Sequence, residues 1–132
     1  MRRAAFLAGL FLLLVPAARA QDDADAWTPG ADLVGDLDAQ AIQLRLRGAS
    51  GPLDSYERYY RGTKREGRLF VEGYYGPFRI EGKQPDSDAL PTHVHIVARA
   101  SPSIANAGCR VVFLLYDVSA ESLASVQCEG DP

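Results

Sequence analysis

The fold class that the sequence predicts is α+β: an N-terminal helix, then an antiparallel β-meander of four to five strands, with one disulfide. Three observations lead to this prediction. One capped segment with helical spacing comes first, short aromatic or alternating runs follow it between loops containing glycine and proline, and the chain has only two cysteines. If the first segment is instead a strand, an all-β sandwich or a small barrel is the alternative.

Residues 1–20 have the pattern of a secretory signal peptide. Arg2 and Arg3 precede an uncharged apolar run, residues 4–15, and Ala18-Arg19-Ala20 has the small-x-small form of a cleavage site. The apolar run is too short for a stable membrane span, so we expect no membrane insertion after cleavage. The mature protein would then be periplasmic or secreted.

Cleavage would shorten the 132-residue chain to 112 residues, enough for one domain. The leader contains three of the 14 Lys and Arg residues and no acid, which leaves the mature chain a formal charge of −6. This acidity argues against nucleic acid as a partner. Residues 21–31 are predicted to form a flexible acidic tail, in which Trp27 either docks or is exposed, and residues 32–132 to form a single small globular domain.

The first element of the domain, residues 33–47, has two interpretations. Its apolar residues recur at helical spacing at Leu33, Leu37, Ala41 and Leu44. Asp36 is a plausible N-cap and Gly48 follows the end, as in a helix. Against this, residues 42–47 alternate between apolar and polar, as in a strand. The capping signals favour the helix.

Several short runs beyond this helix carry strand signals. Residues 56–61 and 68–75 surround a polar loop bracketed by Gly62 and Gly67, a pattern typical of a hairpin. Asp54 indicates a competing helical turn just before it. The other predicted strands are residues 78–80, 92–98, 110–116 and 122–127.

The last two runs are predicted to pair as a hairpin centred between Val118 and Ser119, which places Cys109 opposite Cys128. The other predicted pairs are Val111 with Val126, Phe113 with Ala124, and Leu114 with Leu123. Directly opposed Cα atoms about 4.5 Å apart are within disulfide geometry. An even cysteine count in an exported chain therefore predicts one structural disulfide.

His93 and His95, the only histidines, are two positions apart on a predicted strand. Their imidazoles would lie on one face of it, so they are candidate ligands for zinc or copper, the only cofactors considered. Asp86, Asp88 and Asp117 are the nearest candidate carboxylates. The alternative is that both imidazoles lie on the polar face of the strand without a metal.

Tyrosines on the first hairpin are the candidate binding surface: Tyr59, Tyr60, Tyr74 and Tyr75. Exposed on one face, such rings would suit an interface with an envelope protein or a cell-wall component. Packing across the strands into the core is the alternative.

A non-enzymatic binding or structural protein is accordingly the first functional hypothesis, and a metal-binding protein using His93 and His95 is the second. A hydrolase with paired carboxylates is the third, with Glu66, Glu72 and Glu81 on or near strands. The sequence lacks Gly-x-Ser-x-Gly, and no catalytic residue is assigned.

The chain also resembles a group of small secreted proteins of Gram-negative bacteria. The residues that carry the resemblance are Arg58-Tyr-Tyr-Arg-Gly62, Gly67-Arg68, Gly73-Tyr74, Gly108-Cys-Arg-Val-Val112, Tyr116-Asp117 and Cys128-x-Gly130. They cover most of the mature domain. The resemblance implies a periplasmic location and a disulfide, and no activity.

Overall fold

The computed structural model of the protein describes residues 27–49, 51–102, 104 and 107–129. The predicted signal peptide and the first six residues of the predicted tail lie outside this part of the chain. The described elements are α1 (Ala31–Ala41), β1 (Arg58–Arg65), β2 (Arg68–Tyr75), β3 (Val94–Ile96), β4 (Gly108–Asp117) and β5 (Ser122–Glu129). Two short 3-10 helices, Leu53–Ser55 and Pro85–Ala89, precede β1 and β3. No described helix has the length and apolar character needed to cross a bilayer.

The strands form one five-stranded sheet in the order β3-β1-β2-β4-β5. Three neighbouring pairs are antiparallel, but β3 pairs with β1 in parallel. The prediction of an antiparallel meander is therefore wrong at β3. Because β2 is already paired with β1 and β4, the only edge of the hairpin left for β3 is that of β1, and β3 runs in the same direction as β1. The α+β class is confirmed, and the sheet is open, which excludes the predicted alternative of a closed barrel.

The first hairpin is confirmed, with a tighter turn than predicted. Arg65 and Arg68 pair directly, so Glu66 and Gly67 are its two turn residues. Both have positive φ, 50° and 79°, as the two-residue turns that match strand twist require. The predicted 3-10 or helical turn before the hairpin is present at Leu53–Ser55. Residues 78–80, predicted as a strand, do not form one.

The helix is shorter and earlier than predicted. It begins after Gly30, the N-cap, so the prediction of Asp36 as the N-cap is wrong, and it ends at Ala41 instead of residue 47. The residues that it buries against the sheet are Val34, Leu37, Asp38 and Ala41. These buried residues have helical spacing. The spacing stops where the helix stops, because residues 42–49 are not helical and do not continue the buried stripe.

Residues just before the helix are packed and do not extend the predicted tail. The indole Nε1 of Trp27 donates to the carbonyl oxygens of Thr63 and Phe70, at 3.0 and 3.2 Å. A Cβ on Gly62 would lie 2.1 Å from the Trp27 carbonyl oxygen, so only glycine allows this close approach. Trp27 thus docks on the hairpin.

The disulfide between Cys109 and Cys128 is confirmed, with a Cα–Cα distance of 4.6 Å. The predicted register is wrong, however, because Cys128 pairs with Val112 and Phe113 pairs with Gln127. Irregularities between Gly108 and Val112 and between Leu115 and Tyr116 shift the pairing along the strands. The first of these brings Cys109 back within reach of Cys128.

The two faces of the sheet differ. The face toward α1 carries the main core, formed by Val34, Leu37, Ala41, Leu53, Tyr60, Val71, Tyr75, Val94, Ile96, Val112, Leu114 and Tyr116. The other face carries a smaller cluster of Tyr59, Tyr74, Ile80, Val97 and Val111, with Phe113 packed against it. Alternation along each strand assigns successive side chains to opposite faces, so this second face is the one that α1 leaves uncovered.

Candidate functional site

The face of the sheet opposite α1, which Ile80 and Val97 cover in part, holds a pocket of about 290 Å³. Side chains from β1, β2, β4 and β5 form its floor, and Ile80, Val97, Arg99 and Ser101 border it from neighbouring segments. The strand register arranges the floor in two rows that run across the strands. We call the pocket and these residues the open-face pocket.

The first row is aromatic. Tyr59 pairs with Tyr74 and Tyr74 pairs with Phe113, which puts three rings side by side on neighbouring strands. The ring centroids are 6.0 Å apart for the first pair and 5.7 Å for the second, in tilted arrangements that aromatic rings favour. The row ends at Gln127 on β5. Phe113 is the half-buried member of this row, whereas Tyr59 and Tyr74 are only 7% and 2% exposed, so the row is apolar and tightly packed, with an exposed amide at one end.

The second row lies two residues farther along each strand and is charged. Arg61 pairs with Glu72, and the two side chains form an ion pair at 3.0 Å. Arg65 reaches the other carboxylate oxygen of Glu72 at 2.8 Å. Leu115 and Ser125 complete the row on β4 and β5. The side chain of Arg61 is only 20% exposed, so its charge is partly shielded from water.

The open-face pocket is positively charged on an acidic protein. Three arginines, Arg61, Arg65 and Arg99, line it together with one carboxylate, Glu72. Within the described part of the chain, Arg99 forms no ion pair with an acidic side chain. The whole chain has a formal charge of −3, so the local excess of positive charge is opposite in sign to the net charge of the protein.

The predicted tyrosine surface is wrong for two of its four residues. Tyr60 and Tyr75 are fully buried on the α1 side of the sheet, where strand alternation directs them. Tyr59 and Tyr74 are also largely buried, but they line the open-face pocket. The alternative of cross-strand packing therefore describes all four rings, and a binding role stays a prediction for Tyr59 and Tyr74.

A buried polar network on the α1 side was missed by the sequence analysis. Asp38 receives hydrogen bonds from Arg58 Nε at 2.7 Å and from the Tyr60 hydroxyl at 2.6 Å, and the Tyr75 hydroxyl donates to Tyr60. Burial raises the pKa of Tyr60 well above its usual value, and nearby Tyr75 and Asp38 raise it further. Burial also raises the pKa of Tyr75. An aspartate on the buried stripe of a helix is the one sequence signal that could have revealed the network.

The two histidines meet a carboxylate that the sequence analysis did not consider. Glu57 Oε2 is hydrogen-bonded to His93 Nδ1, and Glu57 Oε1 lies 2.7 Å from His95 Nε2. The parallel pairing of β1 with β3 explains this contact, since Tyr59 pairs with His95 and Glu57 is two residues before Tyr59. The His95 ring also stacks on Tyr59, with centroids 4.8 Å apart.

Hydrogen bonds control the ionisation of this carboxylate. Partial burial raises the pKa of Glu57, but the bonds with His95 and His93 and their charges outweigh it, so the pKa lies below its usual value. Asp117, one of the candidate carboxylates for a metal site, is instead bound by Arg68, where β2 begins and β4 ends. Asp88 lies beside Lys83.

Within the described residues, no group of three or more His, Cys, Asp or Glu side chains is arranged to hold a metal ion. Zinc or copper binding at His93 and His95 stays a prediction. The three carboxylates named for a hydrolase have different environments. Glu66 lies in the β1–β2 turn, and Glu72 forms ion pairs with two arginines. Glu81 lies 3.6 Å from Arg79 on an exposed loop.

A second cavity of about 430 Å³ lies beside the histidine pair. Glu57, Tyr59, His95 and Val97 border it, and the loop that follows β2 supplies the rest of its wall, including Arg79, Glu81 and Lys83. The side chains of Arg79 and Glu81 are mostly exposed, at 83% and 69%. This cavity is therefore walled largely by a solvated loop, whereas the floor of the open-face pocket is made of strands.

Comparison of the chain with protein-family models, with curated proteins and with solved structures finds no match. The class of protein is therefore defined by the geometry of the fold and of the site. It is an α+β protein whose helix covers one sheet face and whose other face carries a small pocket with an aromatic row and three arginines.

Proposed function

We propose that the protein is an exported, non-enzymatic binding protein that takes a small ligand in the open-face pocket. The observation that carries this proposal is the aromatic row on the sheet with three arginines, Arg61, Arg65 and Arg99, lining the same pocket. Binding sites are typically concave and mostly apolar, with a few polar groups that fix orientation. Sites built on strands also hold their geometry better than sites built on loops.

The size of the pocket limits the ligand. A volume of about 290 Å³ is at the lower end of the range for small-molecule sites, roughly 300–1,000 Å³. It suits a compact molecule or a small fragment of a cell-wall component. An envelope protein as partner is less well supported, because in the described residues the large exposed apolar side chains are Leu44 and Phe78, and protein interfaces usually present a contiguous patch.

A binding role is also favoured over hydrolysis. Glycosidase-type chemistry needs two carboxyl groups facing each other across the bound substrate. Among the described residues that line the open-face pocket, Glu72 is the only acid, and both its oxygens are occupied by arginines.

Export is supported by two features. The disulfide is typical of proteins that mature outside a reducing cytoplasm. The N-terminal twenty residues have the composition of a signal peptide. A periplasmic or secreted location is part of the proposal.

A neutral fluorescent probe tests whether the pocket binds ligands. Phenylnaphthylamine fluoresces strongly in apolar sites, and we expect saturable binding to the purified protein. Ser125 is exposed at the edge of the pocket, so Ser125→Trp fills the site without removing a core side chain. It should abolish probe binding. Ala124→Trp, on the same strand but outside the pocket lining, is the matched control and should bind the probe like the wild type.

Two results would contradict the proposal. One is the absence of saturable probe binding to the wild-type protein. The other is equal binding to wild type and Ser125→Trp, which would place the probe elsewhere. Circular dichroism melting of both tryptophan variants shows whether either substitution has disturbed the fold.

A further inference from the structure

We infer that the open-face pocket selects a small organic anion: a carboxylate, sulfonate or phosphate ester on a compact aromatic or branched apolar body. This inference rests on the proposed function and names the class of ligand. It follows from the order of the two rows, the balance of charge within them and the environment of Arg61.

The two rows offer different chemistry at a fixed spacing. Residues two apart on a strand are about 6.6 Å apart along it, so the row that contains Arg61 lies that far from the aromatic row. A molecule lying across the pocket floor would place a ring or branched group against Phe113, the half-buried ring of that row, since Tyr59 and Tyr74 are only 7% and 2% exposed. Its opposite end would then reach Arg61, whose side chain follows Tyr59 on the same face.

The charge in the second row favours an anion. Glu72 binds Arg61 and Arg65 together, so one carboxylate is shared between two guanidinium groups. This leaves a net positive charge and free N–H donors even before ligand binding. Planar guanidinium groups bind carboxylate, sulfonate and phosphate oxygens in a two-point geometry.

Arg99 strengthens the same preference from the rim. It lines the pocket, is exposed, and has no acidic partner in the described part of the chain. A cationic ligand would meet three arginines and one occupied carboxylate, and a neutral ligand would leave the excess positive charge of the pocket without an anion. Because the whole chain is acidic, nonspecific binding of an anion elsewhere on the protein is disfavoured.

Two probes that share a ring system separate this inference from the proposed function. Anilinonaphthalene sulfonate has the rings of phenylnaphthylamine and one negative charge. We expect the wild-type protein to bind the sulfonate more tightly than the neutral probe. Arg99→Gln should weaken sulfonate binding about fivefold and Arg61→Gln about tenfold, in each case more than it weakens binding of the neutral probe.

A matched variant and a change of salt complete the experiment. Arg79→Gln removes an exposed arginine outside the open-face pocket and should leave both affinities unchanged. Sulfonate binding should weaken as ionic strength rises to about 0.15 M, and neutral-probe binding should not.

The outcomes are distinct. Loss of saturable binding for both probes would overturn the proposed function together with the inference. Binding of the neutral probe at the pocket, with no preference for the sulfonate and no effect of Arg61→Gln or Arg99→Gln, would overturn the anion inference alone. An equal loss of sulfonate affinity in Arg79→Gln would also overturn it, because a general charge effect would then explain the preference.

Discussion

Asp38 on α1 and Arg58 on β1 form a buried ion pair that joins the helix to the sheet at two points. Arg58 Nε donates to Asp38 Oδ1 at 2.7 Å and Arg58 Nη2 donates to Oδ2 at 3.1 Å, with both side chains about 5% exposed. The remaining guanidinium nitrogen donates to the carbonyl oxygens of Asp54 and Tyr56. Both charges are therefore paired and hydrogen-bonded, as burial requires.

Removing one member of this pair should strongly destabilise the protein. Arg58→Met leaves the Asp38 carboxylate buried without its cation, and we expect a loss of about 3–5 kcal/mol in the free energy of unfolding. The double variant Asp38→Leu with Arg58→Met should recover much of that loss. Urea unfolding measures the free energy of unfolding of both variants. Removal of the exposed pair Arg79 and Glu81 is the control and should cost under about 1 kcal/mol. Equal losses in the single and double variants would contradict this account.

The buried tyrosines should make the protein sensitive to alkali. The pKa values of Tyr60 and Tyr75 are raised in the folded state, whereas an unfolded tyrosine ionises near pH 10. Above about pH 10 the unfolded chain releases protons that the folded chain retains, so stability falls as pH rises. Melting temperature measured between pH 8 and 11 should fall less steeply in Tyr75→Phe. Full tyrosinate absorbance with native circular dichroism would contradict this prediction.

Glu57 should contribute stability only above mildly acidic pH. Its folded pKa is lowered, so the contribution is present above the unfolded value near 4.5 and is lost as pH falls through the folded pKa. Because the side chain is 40% exposed, we expect Glu57→Gln to cost less than about 1 kcal/mol at pH 6. The difference from wild type should shrink as pH falls below about 4.5 and the Glu57 carboxylate becomes protonated. Glu81→Gln is the exposed control, and a Glu57→Gln effect that is independent of pH would be inconsistent with this mechanism.

The disulfide should stabilise the fold but should not affect ligand binding in the open-face pocket. Cys109 and Cys128 are 19 positions apart, and closing a loop of this size contributes about 3 kcal/mol. Cys109→Ser with Cys128→Ser should therefore lower the melting temperature clearly, while phenylnaphthylamine affinity below the transition stays unchanged. Thiol titration of the exported wild-type protein should find no free thiol. Two titratable thiols per chain would show that the bond is not formed there.

Metal binding at the histidine pair should be weak. The Glu57 carboxylate is already hydrogen-bonded to both rings, and a metal would have to replace those bonds. We expect substoichiometric zinc and copper in the dialysed wild-type protein, little above the level in His93→Ala with His95→Ala. Stoichiometric metal that is lost in the double variant would instead establish the metal-binding hypothesis.

Local signals in the sequence predicted several elements correctly. Glycine-bracketed polar residues between two aromatic runs predicted the β1–β2 hairpin, and helical spacing predicted a helix at the start of the domain. The pair of cysteines predicted the disulfide, although the register used to argue for it was wrong. Turn chemistry, side-chain periodicity and a cysteine count depend on neighbouring residues or on composition, so they can be read from the chain alone.

Strand order and long-range pairing were decided by the tertiary structure. Asp38 and Arg58 are 20 positions apart, and Glu57 and His95 are 38 apart. They meet because α1 packs on one sheet face and β3 joins β1 in parallel, and no local pattern specifies either choice. The open-face pocket likewise exists only once the register aligns Tyr59, Tyr74 and Phe113 in one row. Shifting a strand by one residue would turn each of its side chains to the other face, so the pocket depends on the register of the whole sheet.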